Sequence, residues 1–345
     1  MDDGVLNKDI RFFAEHFGLW KHLRDKTFLI TGATGLIGSV MIKCLLELSR
    51  QKSLNIKIKA IIRNEEKAKK VFKDVFSQIE FYQIHENLTI YEQIGTQTDY
   101  IVHLASPTAS KYFVEYPVET LNVAFNGTAT VLEYAKRVNA KAMVYASSLE
   151  VYGSNHTDDL IKEDFQGYVN PINVRSSYNI GKRACECLCH SYAEEYGVNV
   201  MIARMTQTFG AGVDYNDNRV FAQFVRKVIE GNDIELHTDG ATCRMYCYTT
   251  DAVSALLYLL LKGEKGEAYN IANKKSYISI REMAQLLKEE FNQSINVAIV
   301  PKENMGYAPE TKLKLDTKKI ESLGWKPQYD LRNMFKNMIL YLKEN

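Results

Sequence analysis

The chain has 345 residues, 46% apolar and 25% charged, a globular composition that excludes a disordered or collagen-like protein. Its 43 basic side chains stand against 42 acidic ones, so no bulk field exists to steer nucleic acid or an anionic membrane. No run approaches the roughly 18 consecutive apolar residues of a membrane span. The Met1-Asp2-Asp3 start is acidic where a signal peptide would be basic, and six cysteines are too few for a disulfide scaffold. The expectation is a soluble cytoplasmic protein with neither nucleic acid nor membrane as a partner.

At roughly 100–200 residues per domain, this length holds one large domain or two joined lobes. Ile10, Phe13, Phe17, Trp20 and Leu23 recur three or four apart and predict an amphipathic N-terminal helix over 9–24. Thr27–Thr31 is a short apolar, β-branched run, followed by a Gly-rich turn and an apolar helix to about Ser49. Strands are predicted at Ile56–Ile62, Ile79–Ile84, Tyr100–Leu104, Ala142–Ala146 and Asn199–Ala203. Helical spacing covers Arg63–Lys73, Val118–Val138 and Ser176–Tyr196. Strands alternating with helices of this length require crossover connections, so the fold class is α/β with a doubly wound parallel sheet. After about Met205 the alternation stops. One helix near Val220–Ile229 and short helices over 273–345 predict a smaller lobe, with Asp251–Leu261 and Ala268–Ile271 returning to the main sheet. The expected division is an N-terminal helical extension over 1–25, a dinucleotide-binding domain over 26–205 with 246–272 returning to it, and an interleaved substrate-binding lobe over 206–345.

Gly32-Ala33-Thr34-Gly35-Leu36-Ile37-Gly38 directly follows the first strand and opens the first long helix. The first glycine permits a tight turn, the second lets backbone approach a pyrophosphate, and the third allows close helix–sheet packing. A phosphate there meets free N–H groups and the positive end of the helix dipole. The position closing the second strand normally meets the adenosine ribose. An acid there favours NAD, whereas the Arg63 found here favours NADP or is a plain surface residue. Tyr178 and Lys182 lie four apart on one helix face, so the ammonium can sit beside the phenol and lower its pKa, fitting it as a proton acceptor. Ser147-Ser148 ends a strand and offers a hydroxyl to an oxygen becoming a ketone. Cys185, Cys187 and Cys189 alternate along a helix, so they read as buried small side chains and no metal site is expected.

These motifs together resemble the extended short-chain dehydrogenase/reductase family, in its nucleotide-sugar branch, from about Lys26 to Leu287. The match includes His103-Leu104-Ala105-Ser106-Pro107, Asn122, Glu150-Val151-Tyr152-Gly153, Arg175-Ser176-Ser177-Tyr178 and Gly181-Lys182-Arg183. Thr208-Phe209-Gly210, Asn218-Arg219-Val220 and Arg244 extend it, and the His-Leu-Ala-Ser-Pro and Asn-Arg-Val segments are most similar to UDP-glucuronate decarboxylases. The resemblance implies a Rossmann-type sheet with a C-terminal substrate lobe. It implies NAD, with NADP as the alternative raised by Arg63, held by Gly32, Thr34, Gly35, Leu36, Ile37, Gly38, Leu104, Ala105, Ser106, Asn122, Tyr178 and Lys182. It further implies that Tyr178 takes the proton of the sugar 4-hydroxyl as hydride leaves C4. Ser148 orients that oxygen, and Ser148, Gln207, Arg219 and Arg244 contact a nucleotide-diphosphate sugar.

The step after C4 oxidation separates the branch members. Related 4,6-dehydratases carry an Asp-Glu pair after the active-site hydroxyl and decarboxylases tend to carry Ser-Glu; this chain has Ser148-Leu149-Glu150. Leu149 cannot donate a proton to a leaving hydroxide, whereas Glu150 can act as a base or orient water near C5. Gln207 stands where relatives usually have Asn, and Gly212 where decarboxylases often have Arg. UDP-glucuronate decarboxylation is therefore the expected reaction, against 4,6-dehydration, epimerisation or C4 oxidation. A non-catalytic dinucleotide-binding regulator is the rival of another class, and such proteins usually lose the Tyr or Lys kept here. Relatives dimerise through helices matching Val118–Val138 and Ser176–Tyr196, which implies a homodimer built on a four-helix bundle.

Overall fold

A computed structural model describes residues 4–84, 93–301 and 310–345. In chain order its elements begin α1 (Val5–His16), β1 (Thr27–Thr31), α2 (Leu36–Lys52), β2 (Lys57–Ile62), α3 (Glu65–Phe72), β3 (Glu80–Gln83), β4 (Tyr100–His103), α4 (Ser110–Glu115) and α5 (Pro117–Arg137). Next come β5 (Ala142–Ser148), β6 (Leu160–Ile161), α6 (Ser176–Tyr196), β7 (Val200–Met205), β8 (Gln207–Phe209), α7 (Val220–Glu230), β9 (Ile234–Leu236), β10 (Cys243–Tyr248) and α8 (Thr249–Lys262). The chain ends with β11 (Ala268–Ile271), β12 (Asn273–Ser279), α9 (Ile280–Phe291), β13 (Val297–Ile299), β14 (Lys312–Leu315), α10 (Lys318–Ser322) and α11 (Leu331–Glu344).

Seven parallel strands form the main sheet in the order β11-β7-β5-β4-β1-β2-β3. Alternation along each strand separates two cores. Phe28, Ile30, Ala60, Val102, Val144 and Ala203 face one apolar layer together with residues of α1, α2 and α8. Leu29, Ile61, Ile101, Met143 and Ile202 face the other with residues of α5 and α6. The order reverses between β1 and β4, the crevice where open α/β sheets bind ligands at their carboxyl ends.

A second sheet of β12-β10-β14-β6, with β8 on β10, builds the smaller lobe against a separate core of α7, α9 and α11 residues. Tyr246–Tyr248 pair with Gln207–Phe209 in this sheet, so the return to the main sheet starts with α8 at Thr249, later than the expected 246. Leu160–Ile161 also joins the small sheet from within the expected dinucleotide domain.

Two local expectations change. The N-terminal helix ends at His16, where Phe17 turns out with ψ of 101° before Gly18, and a 3₁₀ turn follows at Trp20–Leu23. The described residues of 273–345 include three strands besides helices. β12 and β14 are lysine-bearing and half-solvated, and β13 is three residues long, so none carries a continuous apolar signal. No helix among the described residues is long and apolar enough to cross a membrane.

Candidate active site

The glycine turn is built by close approach. Gly32 has φ of +67°, and a Cβ on it would lie 2.9 Å from the Ala105 nitrogen and the Leu104 carbonyl carbon. A Cβ on Gly38 would meet the Gly32 carbonyl oxygen at 2.4 Å. Gly35 caps α2, so the N–H groups of its first turn, at Leu36, Ile37 and Gly38, point out of the helix end where an anion is held. Gly38→Ala pushes backbone against backbone, an overpacking cost of about 1–3 kcal/mol. A lower melting temperature and weaker dinucleotide binding by calorimetry are the expected results.

The wall opposite this turn is set by a buried hydroxyl–imidazole relay absent from the sequence expectations. Thr31 Oγ1 accepts from the Leu104 and Ala105 N–H groups at 3.2 and 3.1 Å and lies 2.7 Å from His103 Nδ1. With two donors already on it, the hydroxyl gives its proton to Nδ1, so the ring carries its own on Nε2, 3.3 Å from Thr128 Oγ1. Burial lowers the His103 pKa to about 3, which keeps the ring neutral. Thr34, Leu104, Ala105 and Ser106 are half-buried around the crevice. Arg63 is exposed just past β2, and Asn64 caps α3 by accepting from Lys67 N–H at 2.8 Å. Asn122 lies exposed on α5, whose buried face is formed by residues such as Thr120, Ala124 and Thr128, so the fold does not bring it into the crevice.

At the end of β5, Ser148 Oγ accepts from Glu150 N–H at 3.2 Å and hydrogen-bonds the Tyr178 hydroxyl. Lys182, one turn along α6, is buried and donates to the Ala146 carbonyl at 2.7 Å. Burial lowers its pKa to about 8, against the opposing pull of Cys185 and Glu186. Tyr178 departs from expectation. Its pKa is raised, first by burial and then by the Glu150 carboxylate, while the Ser148 bond opposes both. The Lys182 ammonium stands 5.7 Å from the Tyr178 ring centroid and is aimed at backbone, so proximity in sequence does not place its charge on the phenol oxygen.

Glu150 is clasped by Arg175, whose Nη2 reaches the two carboxylate oxygens at 3.1 and 2.8 Å. Arg175 also donates to Asn179 Oδ1 at 3.3 Å and lies 5.0 Å from the Phe113 ring, which stacks on Tyr178 at 4.2 Å. Sequence reasoning included Arg175 in a motif without a role, and nothing in the sequence signals Phe113. Leu149 is buried in a small core with Val151, Tyr152 and Ile161, turned away from any proton transfer.

In the small lobe, Arg219 is committed to Asp217, with Nη2 to Oδ2 at 2.5 Å, and donates to the Thr208 carbonyl at 3.3 Å. Arg244 differs, because its Nε is buried without a hydrogen-bond partner. Gln207 is half-buried on β8 beside Tyr246. Gly212 has φ of +98° and its Cβ position lies 3.2 Å from Val40, so this backbone disfavours the arginine that decarboxylases often carry there. Cys185 and Cys189 are buried and Cys187 is exposed, and among the described residues no cluster is placed to hold a metal.

A buried lysine and a tyrosine facing a strand-end serine, on the same sheet as a glycine turn at a helix N-terminus, are the arrangement of a dinucleotide-dependent enzyme. Residues 28–272 match the family model described as the NAD dependent epimerase/dehydratase family, and the chain belongs to that family. It is 33% identical to UDP-glucuronic acid decarboxylase 5 of Arabidopsis thaliana over 309 residues, 88% of this chain and 85% of that protein. It is 30% identical to UDP-glucuronic acid decarboxylase 1 of Danio rerio, over 98% of this chain and 79% of that one. Among solved structures, UDP-glucose 4-epimerase of Thermotoga maritima superposes with a TM-score of 0.78 at 22% identity, covering 92% of this chain and 99% of the other. A dTDP-glucose 4,6-dehydratase of Streptomyces venezuelae superposes with a TM-score of 0.77 at 22% identity, over 92% and 97%.

Proposed function

We propose that the protein is a NAD-dependent enzyme that oxidises a nucleotide sugar at C4 and decarboxylates UDP-glucuronate. The observation that carries this reading is the group Ser148, Glu150, Tyr178 and Lys182, with Leu149 withdrawn into the core so that no second acid stands beside Glu150. NAD, when bound, supplies the hydride acceptor. The turn Gly32–Gly38 would hold its pyrophosphate, and the wall of Leu104, Ala105 and Ser106 would flank it. The Cβ positions that collide at Gly32 and Gly38 support this fit, because only a bare backbone leaves that cradle open.

The ionised minority form of Tyr178 takes the proton of the 4-hydroxyl, and Ser148 steadies the developing ketone oxygen by a hydrogen bond. A C4 ketone makes a C5 carboxylate β-keto. Loss of CO₂ then leaves the electron pair on C5 conjugated with the ketone; C5 takes up a proton, and the hydride removed from C4 would return there, so the net loss is CO₂ and no acid is needed for a leaving group. Glu150, held by Arg175, orients water or a proton near C5. The unpartnered buried Nε of Arg244 supports a substrate anion on the small lobe, since such a donor is costly to leave unmade. The 33% identity to a plant UDP-glucuronic acid decarboxylase supports the sugar assignment. Incubation with UDP-glucuronate should lower the substrate mass by that of CO₂ in mass spectrometry; an unchanged mass removes the decarboxylase assignment.

The same reading includes a homodimer in a reducing, cytoplasmic compartment. Val118, Leu121 and Phe125 form one stripe of α5 and are exposed in the single chain, Val118 by 63%. A contiguous apolar stripe of this kind marks an association surface. Light scattering should give a dimer mass for the wild type and a monomer mass for Phe125→Glu.

A further inference from the structure

Tyr178 and Lys182 are followed one turn later on the same helix face by Glu186, an acid buried under α6. A buried carboxylate costs free energy unless it is paired and hydrogen-bonded. Here every contact is made. Ser147 Oγ donates to Glu186 Oε1 at 2.5 Å, and Arg204 of β7 donates through Nε at 3.0 Å to Oε1 and through Nη2 at 2.7 Å to Oε2. Arg204 Nη1 donates to the Tyr152 hydroxyl at 3.1 Å and to the Glu163 carbonyl at 2.6 Å. Tyr152 in turn donates to Asn270 Oδ1 at 2.5 Å, and the Asn270 amide reaches the Ile161 and Asp316 carbonyls, both at 3.0 Å.

The network therefore grips the segment bearing the reacting groups at two points. Ser147 is adjacent to Ser148, and Tyr152 closes the 3₁₀ turn Leu149–Tyr152 that carries Glu150. Between these anchors the turn cannot shift relative to α6, on which Tyr178 and Lys182 ride. The Ile161 and Asp316 carbonyls belong to segments of the small sheet, so the same chain of bonds ties the substrate lobe to the reacting groups.

We propose that Glu186, with Arg204, is the positioning residue of this active site: it fixes the Ser147–Tyr152 segment, and with it Ser148 and Glu150, against α6. The inference rests on the C4-oxidation reading for its kinetic readout. The Lys182 titration is a second readout, since Cys185 and Glu186 oppose the depression that burial causes there. A cavity of about 170 Å³ lined by Val151, Phe165, Gln166, Arg183, Glu186, Cys187 and Arg204 opens beside the pair, with room for a small carboxylate where the Glu186 side chain is removed.

The test uses Glu186→Gln, Glu186→Ala and Ser147→Ala in the full chain, with the Lys182 titration followed by NMR of labelled lysine and kinetics by release of CO₂ from UDP-glucuronate. Glu186→Gln should move the Lys182 titration to lower pH and cut kcat by roughly 10²-fold at unchanged KM, the scale expected for misplaced reacting groups. Formate added to Glu186→Ala should restore part of kcat and return the Lys182 titration toward the wild-type value. Ser147→Ala, which breaks one hydrogen bond and leaves the ion pair intact, should lower kcat about fivefold to tenfold with the titration unmoved. A folded Glu186→Gln protein with wild-type kcat overturns the proposal. If Glu186→Gln does not fold, a Ser147→Ala protein with wild-type kcat overturns it equally. Failure of the C4-oxidation reading is seen separately, as undiminished turnover in Tyr178→Phe.

Discussion

Tyr178→Phe is expected to bind NAD and nucleotide sugar with near wild-type affinity while losing about 10²–10⁴-fold in the rate of CO₂ release, the range set by removing a positioned proton acceptor. The substitution leaves the ring that stacks on Phe113 in place and deletes only the oxygen held by Ser148. The fold should therefore be unaffected, and a melting temperature within a few degrees of wild type is the control. The pH dependence distinguishes the mechanism from a passive role. Burial and the Glu150 carboxylate hold the Tyr178 pKa above its ordinary value, so the phenol is protonated across neutral pH and the oxidative half-reaction should accelerate as pH rises. Lys182 titrates near 8 in the same interval and carries its charge below it. In the variant the acceleration attributable to the phenol should vanish. A Tyr178→Phe protein with an unchanged pH–rate profile would return the proton to some other group and leave Tyr178 a packing residue.

The parts of this site that the sequence reveals are those whose geometry is local. Gly32, Gly35 and Gly38 lie within one turn, and Tyr178 and Lys182 are one helical turn apart, so spacing alone fixes their relation. The doubly wound parallel sheet follows for a similar reason, since apolar runs alternating with amphipathic helices leave few ways to bury both sheet faces. What local spacing cannot supply is the partner from elsewhere in the chain. Glu150 was legible as a candidate, but the guanidinium that clasps it comes from Arg175, beyond a long loop. Arg219 is given to the substrate by the resemblance, and its ion pair with Asp217, two residues away, is not fixed by that spacing. Glu186 was visible in principle, as the next residue on the Tyr178–Lys182 face, yet an acid on a helix reads as solvated until Arg204 is seen beside it. The direction of the Tyr178 shift failed for a related reason: adjacency on a helix gives ring-to-ammonium proximity, whereas the pKa follows burial and the facing carboxylate.

Asp9 presents the same difficulty in its sharpest form, and it leads to the second large effect. It sits on the buried face of α1 with Ile10 and Phe13, accepting from Tyr248, from the Tyr329 hydroxyl at 3.1 Å and from Asn337 at 3.2 Å. Asp251, at the start of α8, accepts from the Gln328 and Tyr329 N–H groups at 2.9 and 3.2 Å. Burial outweighs these hydrogen bonds and raises the two carboxyls to about 6 and about 7, with Asp9 adding to the shift of Asp251. A carboxyl whose folded pKa exceeds its unfolded value stabilises the native state fully below the unfolded pKa, and that contribution is lost as pH rises through the folded value. The window here runs from the ordinary carboxylate range up to about 6 for Asp9 and about 7 for Asp251. Each contributes on the order of 3–4 kcal/mol over that window at 1.36 kcal/mol per unit. Asp9→Asn keeps the shape and cannot ionise, so its urea-unfolding free energy relative to wild type should climb by about 3 kcal/mol between acidic and mildly alkaline buffer. A difference that stays flat across this range would show that the three donors hold Asp9 ionised, and the cost of burying it would then lie within the strength of those bonds.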